Sequence, residues 1–343
     1  MPPIVDSHIH LFPQSHLPSL AWYSPDVPLA SQHSVDQYRA AAAAPASSPV
    51  RGFIFLETDR ISSVQESDHS WTHVLDEVSF LTRIAVGEPI PGEGHRHVDR
   101  WLCLGIVPWA PVPGGPAVLE KYMDLVKQRT RTDAVWKKVR GVRYLVQDKP
   151  PGTMLEQGFV DGLKWLGAEG FAFDLAVDAR QGGLWQLREA VEMMGRVYED
   201  AEVTFVINHL CKPNLRLSDS VTAHPDFLEW KALVTAMARF PKAYMKLSGG
   251  FSELPPLSTE PEIPFLAEQL RPWTDVIFDA FGPKRVMFGS DWPICNMGGG
   301  GNEVSWRRWH AVIEQILARR GLNDEQKADV WGQTAVAAYG IDI

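Results

Sequence analysis

The chain has 343 residues, 45% of them hydrophobic and 22% charged, which supplies a sizeable core and excludes a disordered polymer. A net charge of -9, spread without an acidic tail or basic block, argues against nucleic acid and anionic membrane as partners and leaves a small molecule as the expected ligand. Cys103, Cys211 and Cys295 stand in no ligand or redox spacing, and Met1-Pro2-Pro3 runs into a strand with no signal-peptide pattern; no apolar run approaches the ~20 residues of a membrane span, so a cytoplasmic protein is expected.

Residues 4–10, Ile4-Val5-Asp6-Ser7-His8-Ile9-His10, read as a first strand. Strand side chains alternate, so the two imidazoles project the same way, ready to grip a divalent metal or to hydrogen-bond a reacting oxygen. Residues 11–34 hold Pro13, Pro18, Pro25 and Pro28, too many for one helix. In a barrel this loop would cover the site, with Trp22 either meeting substrate or pinning the loop. A helix over 35–44 stops at Pro45. Residues 52–57 form a continuous apolar run ending in Glu57, as a strand buried on both faces would.

The alternation continues. Helical spacing over 71–85 precedes a polar loop at 87–97 and a third strand at 101–107, followed by Pro108-Trp109. A helix at 118–129 leads to strand four at 139–145, one at 159–169 to strand five at 171–177, and one through 184–197 to strand six at 203–209. A helix at 227–238 precedes strand seven at 243–248, and one at 272–281 precedes strand eight at 286–291. Two helices, 305–320 and 324–339, close the chain. Eight short strands, each followed by helical sequence, predict an α/β fold, a (β/α)8 TIM barrel forming a single domain over residues 1–343. An open doubly wound sheet is the weaker reading, since G-x-G-x-x-G and a P-loop are missing.

Barrel enzymes place their sites at the C-terminal ends of the strands. There the sequence puts His8 and His10, Glu57, Trp109, Arg143, Asp174, His209, Lys246 and Asp291. Ionisable groups inside a buried sheet are costly unless paired or functional, so this ring is the expected site.

The same residues carry a resemblance. Asp6-Ser7-His8-Ile9-His10, Gly141-Val142-Arg143-Tyr144, Asn208-His209-Leu210-Cys211-Lys212-Pro213, Lys246-Leu247-Ser248-Gly249 and Phe288-Gly289-Ser290-Asp291-Trp292-Pro293 occur in order along the chain and resemble the amidohydrolase superfamily. Within it they resemble the branch of sugar-acid lactonases and pyrone-dicarboxylate lactonase. Two-metal members use a carboxylated lysine on the middle strands, where this chain has Arg143 and Asp174. The histidine that ends strand five in the metal-dependent decarboxylases is also missing. The resemblance therefore implies at most one metal.

Opening a lactone takes an activated water, a polarised carbonyl and a proton for the departing ring oxygen. Asp291 is the expected base. His209, by hydrogen bonding, or one metal ion held by His8, His10, Glu57 and Asp291, a donor set compatible with zinc, would polarise the carbonyl; both versions stand, and metal-independent catalysis is one of them. Arg143 and Lys246 would orient polar parts of the substrate, with Asp174 beside them, and Trp109 and Trp292 offer faces for a sugar ring. The expected reaction is hydrolysis of an aldonolactone, the resemblance pointing to L-rhamnono- or L-fucono-lactone, by a chain that can oligomerise. Two other readings are a metal-dependent decarboxylase or hydratase of aromatic acids on the same barrel, and a ligand-binding barrel without chemistry. A cysteine hydrolase using Cys211 or Cys295 is the remotest, for want of a base partner.

Overall fold

Every expected strand forms, most of them shorter than the apolar run that announced it. The computed structural model describes residues 3–43, 49–65, 70–218, 220–255 and 262–342. Its strands are β1 (Ile4–Ile9), β2 (Val50–Leu56), β3 (Cys103–Val107), β4 (Gly141–Arg143), β5 (Ala172–Leu175), β6 (Phe205–Ile207), β7 (Ala243–Leu247) and β8 (Val286–Phe288). All pair in parallel, β1 to β3 in one ladder and β4 to β8 in another, each in chain order.

Two seams join the ladders. Between β3 and β4, parallel bridges pair Ile106 with Val139 and Trp109 with Arg143; Ile9 is bridged to Trp292 just past β8. At that second seam His10 N donates to Trp292 O at 2.7 Å and Asp291 N to His8 O at 2.9 Å. The sheet closes on itself as the (β/α)8 barrel that the strand and helix alternation implies.

Among the described residues, the main helices between successive strands are α1 (Val35–Ala41), α2 (Thr72–Val86), α3 (Gly115–Thr130), α4 (Gln157–Glu169), α5 (Trp185–Tyr198), α6 (Pro225–Met237) and α7 (Ile263–Phe281); α8 (Ser305–Arg319) and α9 (Thr334–Tyr339) follow β8. Pro272, expected to open a helix, lies inside α7. There the buried stripe of Leu266, Leu270, Trp273 and Ile277 outweighs the lost backbone bond. The helix expected over 324–339 is in three pieces, with a π-turn at Asp329–Gln333 ahead of α9. Trp101 belongs to the 3-10 turn His97–Trp101, outside β3. The expected helix end at Ala44 and its Pro45 stop lie outside the described residues.

Period-two alternation sorts the strand side chains. Phe53, Phe55, Phe173, Phe205 and Leu247 join the large core under the helices. Val5, Ile54, Leu104, Ala172, Val206 and Met287 form a second cluster inside the barrel, and α9 closes it with Ala335, Ala338 and Tyr339. No helix among the described residues is long and apolar enough to cross a membrane.

Candidate active site

Asp291 sits just past β8 with a left-handed backbone, φ 60°, and its carboxylate is ringed by imidazoles. Its Oδ1 lies 3.5 Å from His8 Nε2, 3.6 Å from His10 Nε2 and 3.8 Å from His209 Nε2. The seam explains the convergence: His8 and His10 come from β1 and the residue after it, Asp291 from the strand that closes against β1. Asp6, the first residue of the motif, fastens them. Its Oδ1 accepts from Ser290 N at 2.8 Å, and its Oδ2 from Trp306 Nε1 at 2.8 Å and Tyr38 Oη at 3.1 Å.

Each imidazole has a defined outer partner. His10 Nδ1 lies 3.0 Å from both the Leu56 and Glu57 carbonyls, so Nδ1 carries a proton that it donates there. His8 Nδ1 faces the Lys246 ammonium at 3.3 Å; an ammonium can only donate, so the His8 proton sits on Nε2, toward His10 Nε2 at 3.2 Å. His209 Nδ1 is 2.8 Å from Ser248 Oγ.

Burial sets the charge states. It pushes His209 down to about 3, more than Asp291 can restore. With the Lys246 charge beside it, burial also drives His8 well below the usual histidine range. Burial alone would raise the Asp291 carboxyl, but His209 and His10 outweigh it and hold it below an ordinary aspartate. The result is an ionised carboxylate beside the His8 and His209 rings, which burial keeps neutral, the condition a general base needs.

His209 reaches this point by an unusual path. His209, Leu210, Cys211 and Lys212 all have positive φ, between 45° and 62°, a run that costs roughly 1–2 kcal/mol per non-glycine residue. The surroundings hold it: Ala179 N donates to Cys211 O and Arg180 N to Lys212 O, both at 3.1 Å, and Trp230 Nε1 donates to Leu210 O at 2.9 Å. Gly249, itself at φ 69°, leaves the space the imidazole occupies; a Cβ there would lie 2.6 Å from His209 Nδ1.

Above the carboxylate opens a cavity of about 290 Å³ whose lining includes His10, Arg143, His209 and Asp291. Trp22 and Phe12 of the 11–34 loop also line it, and Trp22 Nε1 donates to Thr58 O at 3.0 Å. Trp22 therefore does both things considered for it, facing the cavity and pinning the loop. Five polar lining residues, Thr58, Asp59, Gln147, Lys212 and Ser252, were not expected because all lie in the segments past the strand ends. Only Lys212 left a trace, inside the Asn-His-Leu-Cys-Lys-Pro segment.

Other expected site residues are placed differently. Lys246 and Asp174 are fully buried and paired at 2.5 Å, with Tyr339 Oη donating to the second Asp174 oxygen at 2.6 Å. They follow the inward-facing Tyr244 and Ala172 by two residues, so they lie within their strands and beneath the cavity, outside its lining. Burial, partly offset by Asp174, lowers the Lys246 ammonium to about 8. Trp109 packs on Tyr122 and Tyr144, and Trp292 on Tyr38 and His33, its indole N–H given to Asn302. Neither ring lines the cavity, so neither is placed to stack on a sugar. Glu57, expected as a metal ligand, instead takes Arg143 Nε at 2.5 Å on one oxygen and Asp59 N at 2.6 Å on the other. Burial raises the Cys211 and Cys295 thiols, leaving no thiolate for the cysteine-hydrolase reading.

Among the described residues, His8, His10 and Asp291 form the one group of three whose ligand atoms lie close enough, within 4.8 Å, to share a metal ion. Two imidazoles and a carboxylate with a position left open suit a catalytic metal, and His10, anchored through Nδ1 to backbone carbonyls, has the outer shell such ligands carry. A metal there would displace the Nε2 proton of His8.

Comparison with known proteins agrees with this geometry. The amidohydrolase family model matches residues 5–341. The chain is 34% identical over 341 residues to the L-rhamnono-gamma-lactonase of Scheffersomyces stipitis, covering 98% of both chains. It is 30% identical over 215 residues to the L-fucono-1,5-lactonase of Burkholderia multivorans, 61% of this chain and 66% of that one. A solved amidohydrolase from Burkholderia multivorans with bound zinc superposes with a TM-score of 0.72 at 24% identity, over 99% of this chain and all of the other. With its barrel, its seam-built histidine and aspartate cluster and these matches in agreement, the chain belongs to the amidohydrolase family.

Proposed function

We propose that the protein hydrolyses a sugar-acid lactone, an aldonolactone of the L-rhamnono or L-fucono type, to the open hydroxy acid. The observation that carries this reading is the ionised Asp291 carboxylate among His8, His10 and His209 on the floor of the cavity. At about 290 Å³ the cavity is at the low end for ligand sites, with room for one monosaccharide-sized ring. In this reading Asp291 takes a proton from water, the water oxygen adds to the lactone carbonyl, the bond from that carbon to the ring oxygen breaks, and the proton passes to the departing oxygen. The Arg143 guanidinium, fixed by Glu57, orients ring hydroxyls or the carbonyl.

His8, His10 and Asp291 are the residues that would hold a divalent ion, zinc being the favoured one, and such an ion would polarise the carbonyl and acidify the water. Both curated relatives described above are lactonases, which favours lactone opening over decarboxylation or ligand binding without chemistry. A single cytoplasmic domain over residues 1–343 is part of the same proposal. The test is hydrolysis of a panel of five- and six-membered aldonolactones, with and without chelator, by the wild type and Asp291→Asn. Acid release by the wild type that falls about 10²- to 10⁴-fold in the variant is expected; no hydrolysis of any lactone refutes the reading. Loss on chelation with recovery on added zinc identifies the metal version.

A further inference from the structure

Asp59 stands apart from the other charged residues that line the cavity. Arg143 is paired with Glu57 at 2.5 Å, Lys212 Nζ donates to Gln147 Oε1 at 3.0 Å, and Asp291 is surrounded by imidazoles. Among the described residues, none donates a hydrogen bond to the Asp59 carboxylate or forms an ion pair with it. Its backbone, in contrast, is clamped from both sides. Asp59 N donates to Glu57 Oε2 at 2.6 Å, and Asp59 O accepts from Ala21 N at 2.9 Å, the residue before the cavity-lining Trp22. Between those bonds Asp59 holds a left-handed φ of 54°, uncommon for a residue with a side chain although aspartate is among those that adopt it. Strain of this kind persists where the surroundings over-determine it, and it clusters at ligand clamps.

Burial and the Glu57 charge raise the Asp59 carboxyl to about 6, which leaves it ionised at neutral pH; an ionised carboxylate accepts hydrogen bonds and donates none, so its missing partner must be a donor. A neutral ring bearing several hydroxyls supplies donors in adjacent positions. We propose that Asp59 is a specificity-determining residue that accepts hydrogen bonds from the hydroxyls of a polyhydroxylated lactone. This rests on the lactonase reading of the same site.

The test compares an aldonolactone with its set of monodeoxy counterparts in the wild type, Asp59→Ala and Asp59→Asn; asparagine tolerates the left-handed backbone, so that variant keeps the fold. The wild type should prefer the full lactone over at least one monodeoxy lactone. Both variants should lose that preference through a rise in KM of about ten- to a hundredfold, the worth of a hydrogen bond to a charged group. Turnover of that monodeoxy lactone should stay within about twofold. An equal loss on every lactone, or no loss at all, overturns the proposal. Calorimetric titration of the corresponding aldonolactam needs no turnover and separates the two claims. If the wild type opens no lactone, the lactonase reading fails, while lactam binding weakened about tenfold or more in Asp59→Ala still supports the hydroxyl-accepting role. Equal lactam binding by wild type and variant, or none by the wild type, overturns it.

Discussion

Among the described residues, two buried ion pairs cross this barrel, and each joins strands two apart. Glu57–Arg143 links the end of β2 to β4, and Asp174–Lys246 links β5 to β7. The first opens on the cavity, with Arg143 among its lining residues. The second is sealed at 0% exposure on both sides, and the Tyr339 hydroxyl of α9 completes its hydrogen bonds. Identical chemistry thus serves two ends: one pair holds a cation ready for substrate, the other satisfies charges the barrel has enclosed and keeps His8 in one protonation form. Depth along the strand, more than residue type, decides which role a charge has.

The contrast breaks most sharply at Lys246. Lys246→Met leaves Asp174 charged and unpaired in the interior, and urea unfolding should register a loss of about 3–5 kcal/mol, the usual cost of breaking a buried pair from one side. The double variant Lys246→Met/Asp174→Leu should recover much of it; a single-variant loss below about 1 kcal/mol would erase the distinction between the pairs. Arg143→Ala should behave in the opposite way. Glu57 keeps its bond from Asp59 N and gains access to cavity water, so unfolding should change little, while KM for the lactone should rise about ten- to a hundredfold. Unchanged KM would move Arg143 to the structural side.

A smaller effect, away from both pairs, concerns pH. Burial lowers His16 from the ordinary 6.5 to about 4, helped by the Arg60 charge. The unfolded chain therefore takes up the proton first. The stability this neutral ring contributes is fully present above pH 6.5 and is lost as pH falls toward 4. Melting temperature should decline over that window, and His16→Asn should flatten the decline relative to the wild type; parallel curves would show that other groups carry it.

The alternation of apolar runs and helical spacing made the barrel readable, and the strand-end positions of His8, His10, His209 and Asp291 made the core of the site readable with it. Closure of a barrel makes its first and last strands neighbours, so histidines at residues 8 and 10 had to meet an acid at residue 291. What escaped was depth. Asp174, expected at a strand end as a substrate contact, lies inside β5 (Ala172–Leu175), one inward-facing position past Ala172. Cross-strand partners escaped too: Glu57 met Arg143 two strands away, a contact set by barrel stagger that one sequence does not encode legibly. Asp59, Gln147 and Lys212 depend on loop paths, and the positive φ of Asp59 and of the turn from His209 to Lys212 carries no glycine to announce it.

That turn bears on any effort to make the protein hardier. A search for stabilising changes is drawn to non-glycine residues in left-handed conformations, since glycine there relieves the backbone. Here such a search would find His209 itself and three residues behind it, along with Asp59 and Asp291. Each gain in melting temperature at these positions would loosen the presentation of a side chain facing the cavity. Thermostable variants should therefore be sought elsewhere, in the helices and their outer surfaces, where relief of strain and loss of activity are not the same substitution.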